Sequence, residues 1–302
     1  MKHFMKVRLE QFRQARRIHG GTLNMLGAAI GVQLSRTPIP TAALRRKVFS
    51  MIYGGKYGAL DETELEKPLE QFRSLNELFT RGVRPSLRPI PEQTNQFLSP
   101  VDGTVQDIGR IEKDTVMTIK GIRYTLDSLC PETDTSPFND GHFAILFLSP
   151  RDCHRVFTPA DGVLEQLVHV PGHRLLVHPP YQTPEFPVFA LNERLIMQLD
   201  TSFGKCLLIM VAGWGVGHIT HPFRTGHRFS PRRATVTKLD TPRRMDRAEW
   251  IATFELGSTV ILMTEKNWTT SALVERDQSI HYGEPLFGTI KPLFGTITGK
   301  AD

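Results

Sequence analysis

The sequence predicts an α+β protein: N-terminal basic amphipathic helices followed by a mainly β domain with short helices. Three observations carry this. Lys2, Lys6, Arg8, Arg13, Arg16, Arg17, Arg36, Arg45, Arg46, Lys47 and Lys56 face a single acid, Glu10, before Leu60, so the net charge of +6 belongs to the N-terminal end. Prolines 85, 89, 91 and 100 then break the chain. Beyond Leu98 the texture changes to short β-branched or alternating runs separated by glycine and proline. With 302 residues, 40% hydrophobic and 23% charged, the composition is that of a globular protein of one large or two ordinary domains.

In chain order, Met1 to about His19 is basic, with Phe4, Val7, Gln11 and Ile18 only loosely spaced for a helical face. The apolar run Leu23–Leu34 is too short to span a bilayer and is interrupted by Gly27 and Gly31. A signal peptide would need a cleavage site that does not follow convincingly. An interfacial anchor fits better, with Leu23, Met25, Leu26, Ile30 and Leu34 entering the headgroup boundary and the arginines meeting anionic lipid. The plainer alternative is a basic hairpin packed on its own domain or on nucleic acid, although no nucleic-acid signature is present. Thr41–Tyr53 reads as a second basic amphipathic helix ended by Gly54-Gly55, and Ser74-Leu75-Asn76-Glu77 as a capped helix start. The expected division is a membrane-associating helical segment 1–60, a helix and linker 61–97, and a β-rich domain 98–302. Strands are expected at Thr104–Ile111, Thr115–Ile119, Phe143–Leu148, Gly162–His169, Arg194–Leu199, Cys206–Ala212, Ala234–Leu239, Trp250–Phe254 and Thr259–Met263. Leu-Phe-Gly-Thr-Ile occurs at 286–290 and again at 293–297, a local tandem turn or strand.

Three segments place polar groups in apolar surroundings. Asp102 lies in Ser99-Pro100-Val101-Asp102-Gly103-Thr104 at a strand start, where an ordinary Asp-Gly turn is the simplest use. His154 sits between Arg151 and Arg155 in a polar loop bounded by Pro150 and Pro159, a plausible anion and acid–base site. Gly257-Ser258-Thr259 interrupts an apolar run near the C-terminus. By itself it reads as a bulged strand, but glycine leaves its carbonyl open to the next residue's hydroxyl. Ser, His and Asp can form a nucleophile, base and orienter on any fold, yet the Gly-x-Ser-x-Gly elbow of many hydrolases is not made here. His218 and His221 are weak metal candidates without a third ligand, so no metal is expected. Cys130, Cys153 and Cys206 are odd in number and far apart, which argues against a disulfide framework and fits a reducing cytosol.

Read together, these segments resemble the pyruvoyl-dependent phosphatidylserine decarboxylases, the bacterial membrane-bound enzymes in particular. The resemblance rests on Ser74–Arg81 with Arg88-Pro89-Ile90, Pro100-Val101-Asp102-Gly103, Leu148-Ser149-Pro150-Arg151-Asp152 with His154-Arg155-Val156, Val170-Pro171-Gly172, Asn192-Glu193-Arg194 and Leu256-Gly257-Ser258-Thr259. It implies a proenzyme that cuts itself at Gly257-Ser258 into a β chain, residues 1–257, and an α chain, residues 258–302. These would stay together as a heterodimer that could dimerise further. Ser258 would become a pyruvoyl group, whose carbonyl takes the amine of phosphatidylserine and accepts the electrons released with carbon dioxide. The product would be phosphatidylethanolamine. Ser258, Asp102 and His154 would be catalytic, and His154 with Arg155 would bind substrate. The expected partner is an anionic phospholipid membrane rather than nucleic acid, and the expected location is peripheral, on the cytoplasmic face of a bacterial membrane.

The match is uneven at one place. The family's loop carries His-Arg-x-His, and the second histidine belongs to the maturation triad with Asp102 and Ser258. Here that position is Phe157, which cannot accept a proton. His154 and His218 are the nearest replacements. An uncleaved homologue that binds phospholipid without decarboxylating it is the alternative that Phe157 raises.

Overall fold

The computed structural model describes residues 2–18, 21–54, 60–92, 95–117, 121–178, 182–213, 219–223, 235–255, 258–266 and 270–289. The basic region forms helices α1 (Lys2–Ile18), α2 (Thr22–Leu34) and α3 (Ala42–Tyr53). On α1, Val7, Gln14 and Ala15 share a face by helical spacing and are buried. Val7 enters the β domain's core beside Ile111 and Phe186, the Leu176 amide donates to Gln14 at 3.2 Å, and Lys6 pairs with Glu185 at 2.5 Å. Met5, Leu9 and Phe12 remain exposed, as do Leu23, Leu26, Ile30 and Leu34 along α2. Helix α3 starts at Thr41, whose hydroxyl accepts the Leu44 amide, and buries Phe49 and Tyr53 against Leu65, Leu69, Phe72 and Leu78.

The short helix α4 (Leu75–Phe79) is capped at both sides of its start. Ser74 Oγ accepts the Glu77 amide at 3.1 Å, and the Glu77 carboxylate reaches back to the Arg73 amide at 2.7 Å.

The remainder is mainly β, as expected. Its strands are β1 (Gln96–Leu98), β2 (Gly103–Arg110), β3 (Thr115–Met117), β4 (Arg123–Thr125), β5 (His142–Leu148), β6 (Arg155–Phe157), β7 (Gly162–Val170), β8 (Arg194–Thr201), β9 (Gly204–Ala212), β10 (Ile219–Thr220), β11 (Thr235–Met245), β12 (Trp250–Phe254), β13 (Ser258–Thr264), β14 (Thr270–Ala272), β15 (Ser279–Ile280) and β16 (Pro285–Thr289), with helices α5 (Leu126–Leu129) and α6 (Val188–Leu191) between them. Each of the nine expected runs falls on a strand over its described residues; 118, 119 and 234, at the edges of two runs, lie outside them. The first Leu-Phe-Gly-Thr-Ile copy overlaps β16, and the second lies outside the described residues.

Eight strands form one antiparallel sheet in the order β11-β7-β8-β9-β13-β5-β2-β15. Its centre is covered on both faces. Ala144, Leu146 and Leu148 of β5, Leu208 and Met210 of β9, and Val260 and Leu262 of β13 pack into one apolar cluster, while Phe143, Ile145, Leu207, Ile209, Ile261 and Met263 pack into the other. Alternate side chains of a strand point to opposite faces, so a strand buried on both reads as a continuous apolar run. Smaller sheets β10-β12-β6 and β1-β16-β14 lie outside it.

Asn192 and Arg194 pin the crossing into β8. The Asn192 amide donates to the Leu175 and Ala212 carbonyls at 2.8 Å each and accepts the Leu175 amide at 2.9 Å. Arg194 donates to the carbonyls of Leu129 and Ser128 at 2.7 Å and of Ala190 and Asn192 at 2.9 Å, and burial pulls its pKa down to about 10. A Cβ on Gly172 would collide with the backbone joining Asn192 to Glu193, which accounts for glycine there. Asn192→Ala strands three buried backbone groups, and urea denaturation should show a loss of about 2–4 kcal/mol.

Candidate active site

Backbone register brings Asp102, His154 and Ser258 to one end of β5. Thr104 of β2 pairs with Phe147 on one side of β5, and Ser258, the first residue of β13, pairs with Leu148 on the other. Asp102 immediately precedes β2, so it and the Ser258 backbone flank β5 about two strand spacings apart, roughly 10 Å. Gly103 fits beside Asp102 because a Cβ would fall on the Phe147 carbonyl. The loop leaving β5 carries His154 into β6, which pairs with β12. The Phe254 amide, at the end of β12, donates to the His154 carbonyl at 3.0 Å, three residues before position 257. Gly257 lies outside the described residues, and Ser258 is described by its backbone alone.

Asp102 is a buried carboxylate held by three donors. Arg88 donates Nε to Oδ1 at 3.2 Å and Nη2 to Oδ2 at 2.8 Å, and the Tyr282 amide donates to Oδ1 at 2.8 Å. Both charged side chains are about one-twentieth exposed. Arg88 also reaches Glu64 Oε1 at 3.2 Å. Burial alone would pull the Arg88 pKa down, but the hydrogen bonds and charges of Asp102 and Glu64 outweigh it and hold the guanidinium above its ordinary value.

Phe157 lies beside this pair. Its amide donates to the Pro100 carbonyl at 2.8 Å, and its ring stacks on Tyr282 with centroids 3.8 Å apart and planes at 13°. Burial pushes the Tyr282 phenol up to about 12. The position where the resemblance expects a second histidine is therefore an apolar plate, and Arg88 balances the Asp102 charge.

His154 is fully buried and stacks on Phe79, with centroids 3.9 Å apart. Its Nε2 lies 3.1 Å from the Ser149 carbonyl, an acceptor, which assigns the ring proton to Nε2 and leaves Nδ1 with a lone pair. Nδ1 has no hydrogen-bond partner among the described residues. Burial pushes the imidazole pKa down to about 3, the nearby Arg81 charge adds to this, and the Ser149 contact opposes it. The ring is neutral across ordinary pH and offers an unused base.

The loop around it is clamped by Arg81, which donates to the carbonyls of Leu78, Arg151 and Asp152. The Ser149 amide donates to Asp152 Oδ2 at 2.6 Å, and burial raises the Asp152 pKa. Cys153 donates Sγ–H to the Arg81 carbonyl at 3.5 Å, and burial pushes its thiol up to about 12, so it stays protonated.

Arg155 opens β6 and is engaged by its own neighbours. It pairs with Glu66 at 3.0 Å, donates to the Thr80 carbonyl, and lies over the Trp250 ring at 4.6 Å. His218 lies outside the described residues, and His221 stacks on Phe223. Among the described residues, no group of three or more His, Cys, Asp or Glu is placed to hold a metal ion. Arg88, Arg81, Phe79 and Tyr282 were not assigned site roles from sequence. Arg88 and Arg81 do stand inside the motifs quoted above, beside a proline and after a capped helix.

Comparison with known proteins gives the class first. A Vibrio parahaemolyticus protein is 36% identical over 234 residues, covering 75% of this chain and 80% of the relative. A Myxococcus xanthus protein is 31% identical over 250 residues, covering 81% and 86%. A Brevibacillus brevis protein is 31% identical over 276 residues, covering 89% and 95%. Each carries the name phosphatidylserine decarboxylase proenzyme, so the class is that of decarboxylases made as proenzymes. The sequence model described as phosphatidylserine decarboxylase matches residues 75–288, from α4 through β16. The chain belongs to the phosphatidylserine decarboxylase family, as the motifs indicated.

Two outcomes follow from the buried charges. Arg88→Ala leaves Asp102 uncompensated, and thermal or urea unfolding should show a loss of about 3–5 kcal/mol. The folded chain binds a proton at His154 only near pH 3, whereas the unfolded chain binds one below about 6.5. The stability His154 contributes above pH 6.5 is therefore lost as pH falls toward 3, at up to about 1.4 kcal/mol per pH unit. His154→Gln should flatten that part of a Tm-against-pH profile.

Proposed function

We propose that this chain is a phosphatidylserine decarboxylase proenzyme that cuts itself between Gly257 and Ser258 and converts Ser258 into a pyruvoyl group. The observation that carries the reading is the neutral His154, whose Nδ1 is a buried, unused acceptor and whose backbone is tied to Phe254 ahead of the scissile bond. In this reading His154 accepts the Ser258 hydroxyl proton while the oxygen attacks the Gly257 carbonyl carbon. The peptide C–N bond breaks, the freed amine takes a proton, and an ester links the two segments. Removal of the Ser258 α-proton then breaks the Cβ–O bond and releases Gly257 as a carboxylate. Water supplies an oxygen in place of the nitrogen, which leaves as ammonia.

The surroundings suit a new polar group at position 258. Ser149 Oγ and His154 Nδ1 are both buried without a partner among the described residues; Ser149 follows Leu148, the cross-strand partner of Ser258, and His154 lies in the loop beyond it. Once formed, the pyruvoyl group supplies a carbonyl electron sink for an amine-bearing substrate losing carbon dioxide. His154 then holds and returns a proton at Nδ1, Phe79 and Arg81 fix its ring and loop, and Arg88 with Tyr282 fixes Asp102. The product is phosphatidylethanolamine.

A diacyl substrate lies in a bilayer. The exposed Met5, Leu9, Phe12, Leu23, Leu26, Ile30 and Leu34 and the basic residues of α1 suit docking on anionic lipid. No described helix is long and apolar enough to cross a membrane. The reading is a peripheral protein on the cytoplasmic face of a bacterial membrane, its β chain (1–257) and α chain (258–302) held as a heterodimer. Phe157, stacked on Tyr282 where a base is expected, supports a second reading, an uncleaved phospholipid-binding homologue.

A denaturing gel with intact-mass analysis separates the two. Wild type should yield fragments 1–257 and 258–302, the latter with a blocked pyruvoyl N-terminus, and Ser258→Ala should stay whole. His154→Gln should slow cleavage by about 10²-fold, the low end for a positioned base because burial makes this imidazole a weak one, and Phe157→His should speed it. An uncut wild-type chain after prolonged incubation would sink the first reading.

A further inference from the structure

Arg36 follows α2 by two residues and forms an ion pair with Glu255, three residues before Ser258. The guanidinium is half exposed, whereas the Glu255 side chain is mostly covered. The turn that presents Arg36 is fixed. Ser35 is buried, its hydroxyl donates to the Val32 carbonyl at 2.7 Å, and its carbonyl accepts the Asn76 amide at 2.9 Å. Asn76 belongs to α4, whose Phe79 stacks on His154. On the other side of Arg36 lies the exposed apolar stripe ending in Ile30 and Leu34. Arg36 thus stands between the face suited to a bilayer and the end of β5 where the site residues meet.

The substrate of the proposed reaction has the same order of parts. Its amine and carboxylate go to the reacting centre, its acyl chains stay in the bilayer, and its phosphodiester anion lies between. Three residues of chain reach at most about 11 Å, so Glu255 and its partner lie within a headgroup's length or two of position 258. Resting on the reading above, we infer that Arg36 receives the phosphodiester of the lipid headgroup and that Glu255 occupies this site in the uncut chain as an internal stand-in anion. A partly exposed ion pair is weak, so Glu255 is exchangeable, and the planar guanidinium fork suits phosphate oxygens. Cleavage at 257/258 makes Glu255 part of a chain end, able to withdraw its carboxylate. Cofactor formation and opening of the lipid site are then one event.

The test begins with the uncleavable Ser258→Ala chain, so it reads whether or not wild type cuts itself. Binding is measured by flotation on phosphatidylcholine vesicles with and without phosphatidylglycerol, for Glu255→Gln, Arg36→Gln and the double variant. Glu255→Gln should tighten binding to the phosphatidylglycerol vesicles about fivefold, the value of one basic side chain at an anionic surface. That gain should vanish when Arg36 is glutamine. An equal gain in both backgrounds means that net charge alone acts, and overturns the proposal. Inorganic phosphate that abolishes the Glu255→Gln gain at concentrations leaving parent binding intact would assign the site to free anions and overturn it too. In cut enzyme, Arg36→Gln should raise KM for phosphatidylserine in mixed micelles at least tenfold with kcat within twofold, and Arg36→Lys should recover part of the loss. A fall in kcat at constant KM would instead give Arg36 a merely structural part.

Discussion

Burying the Asp102 carboxylate is the constraint on which the site depends. An uncompensated charge there would cost several kcal/mol, so the chain must bring donors to it from afar. Arg88 comes from the linker after α4, the Tyr282 amide from the last loop before β16, and Glu64 completes the network from the segment following α3. Three regions of sequence are thereby fixed to the start of β2. Tyr282, held by its amide, provides the plate against which Phe157 stacks, and Phe157 in turn fixes β6 on the carbonyl of Pro100. The His154 loop hangs from the other end of β6. Disturbing the ion pair would loosen the His154 loop, the strand pairing beside it and the approach to Ser258 together.

How much of this was legible in the sequence depended on whether the signal was local. Strands β5, β9 and β13 read clearly because their central residues are buried on both faces, which makes 143–148, 206–212 and 260–263 continuously apolar. Strands β1, β6, β10, β14 and β15 have two or three residues each, too few for any period to register. On α1 the buried stripe includes Gln14, a polar residue that caps the Leu176 amide, so the helix face looked loose. Asp102, His154 and Ser258 were legible through motifs. The partners that set their chemistry were not, since Tyr282 stands 180 residues from Asp102 and Phe79 reaches His154 only across the fold. Loss of a base at Phe157 could be read directly. That Arg88 balances the buried carboxylate in this chain could be read only from the structure.

The motif Ser74–Arg81 shows why separated segments act as one. Its capped turn sends Phe79 onto the imidazole and Arg81 onto the carbonyls of the loop, while its Asn76 amide grips the end of the helical hairpin. Through this rigid joint the hairpin and the end of the sheet that carries Asp102, His154 and Ser258 cannot shift independently.

Strand β13 lies in the middle of the eight-stranded sheet, paired along seven residues with β5 on one side and β9 on the other. Residues after it return to β1 and β2 through β16 and β15. A break just ahead of β13 would leave all these pairings in place, so the fold would hardly register it. Denaturation would. A continuous chain refolds in a unimolecular process, but a cut one must recapture a separate fragment for the centre of its sheet, at a rate that falls with dilution. The mature molecule would be durable while folded and unable, at low concentration, to return once unfolded.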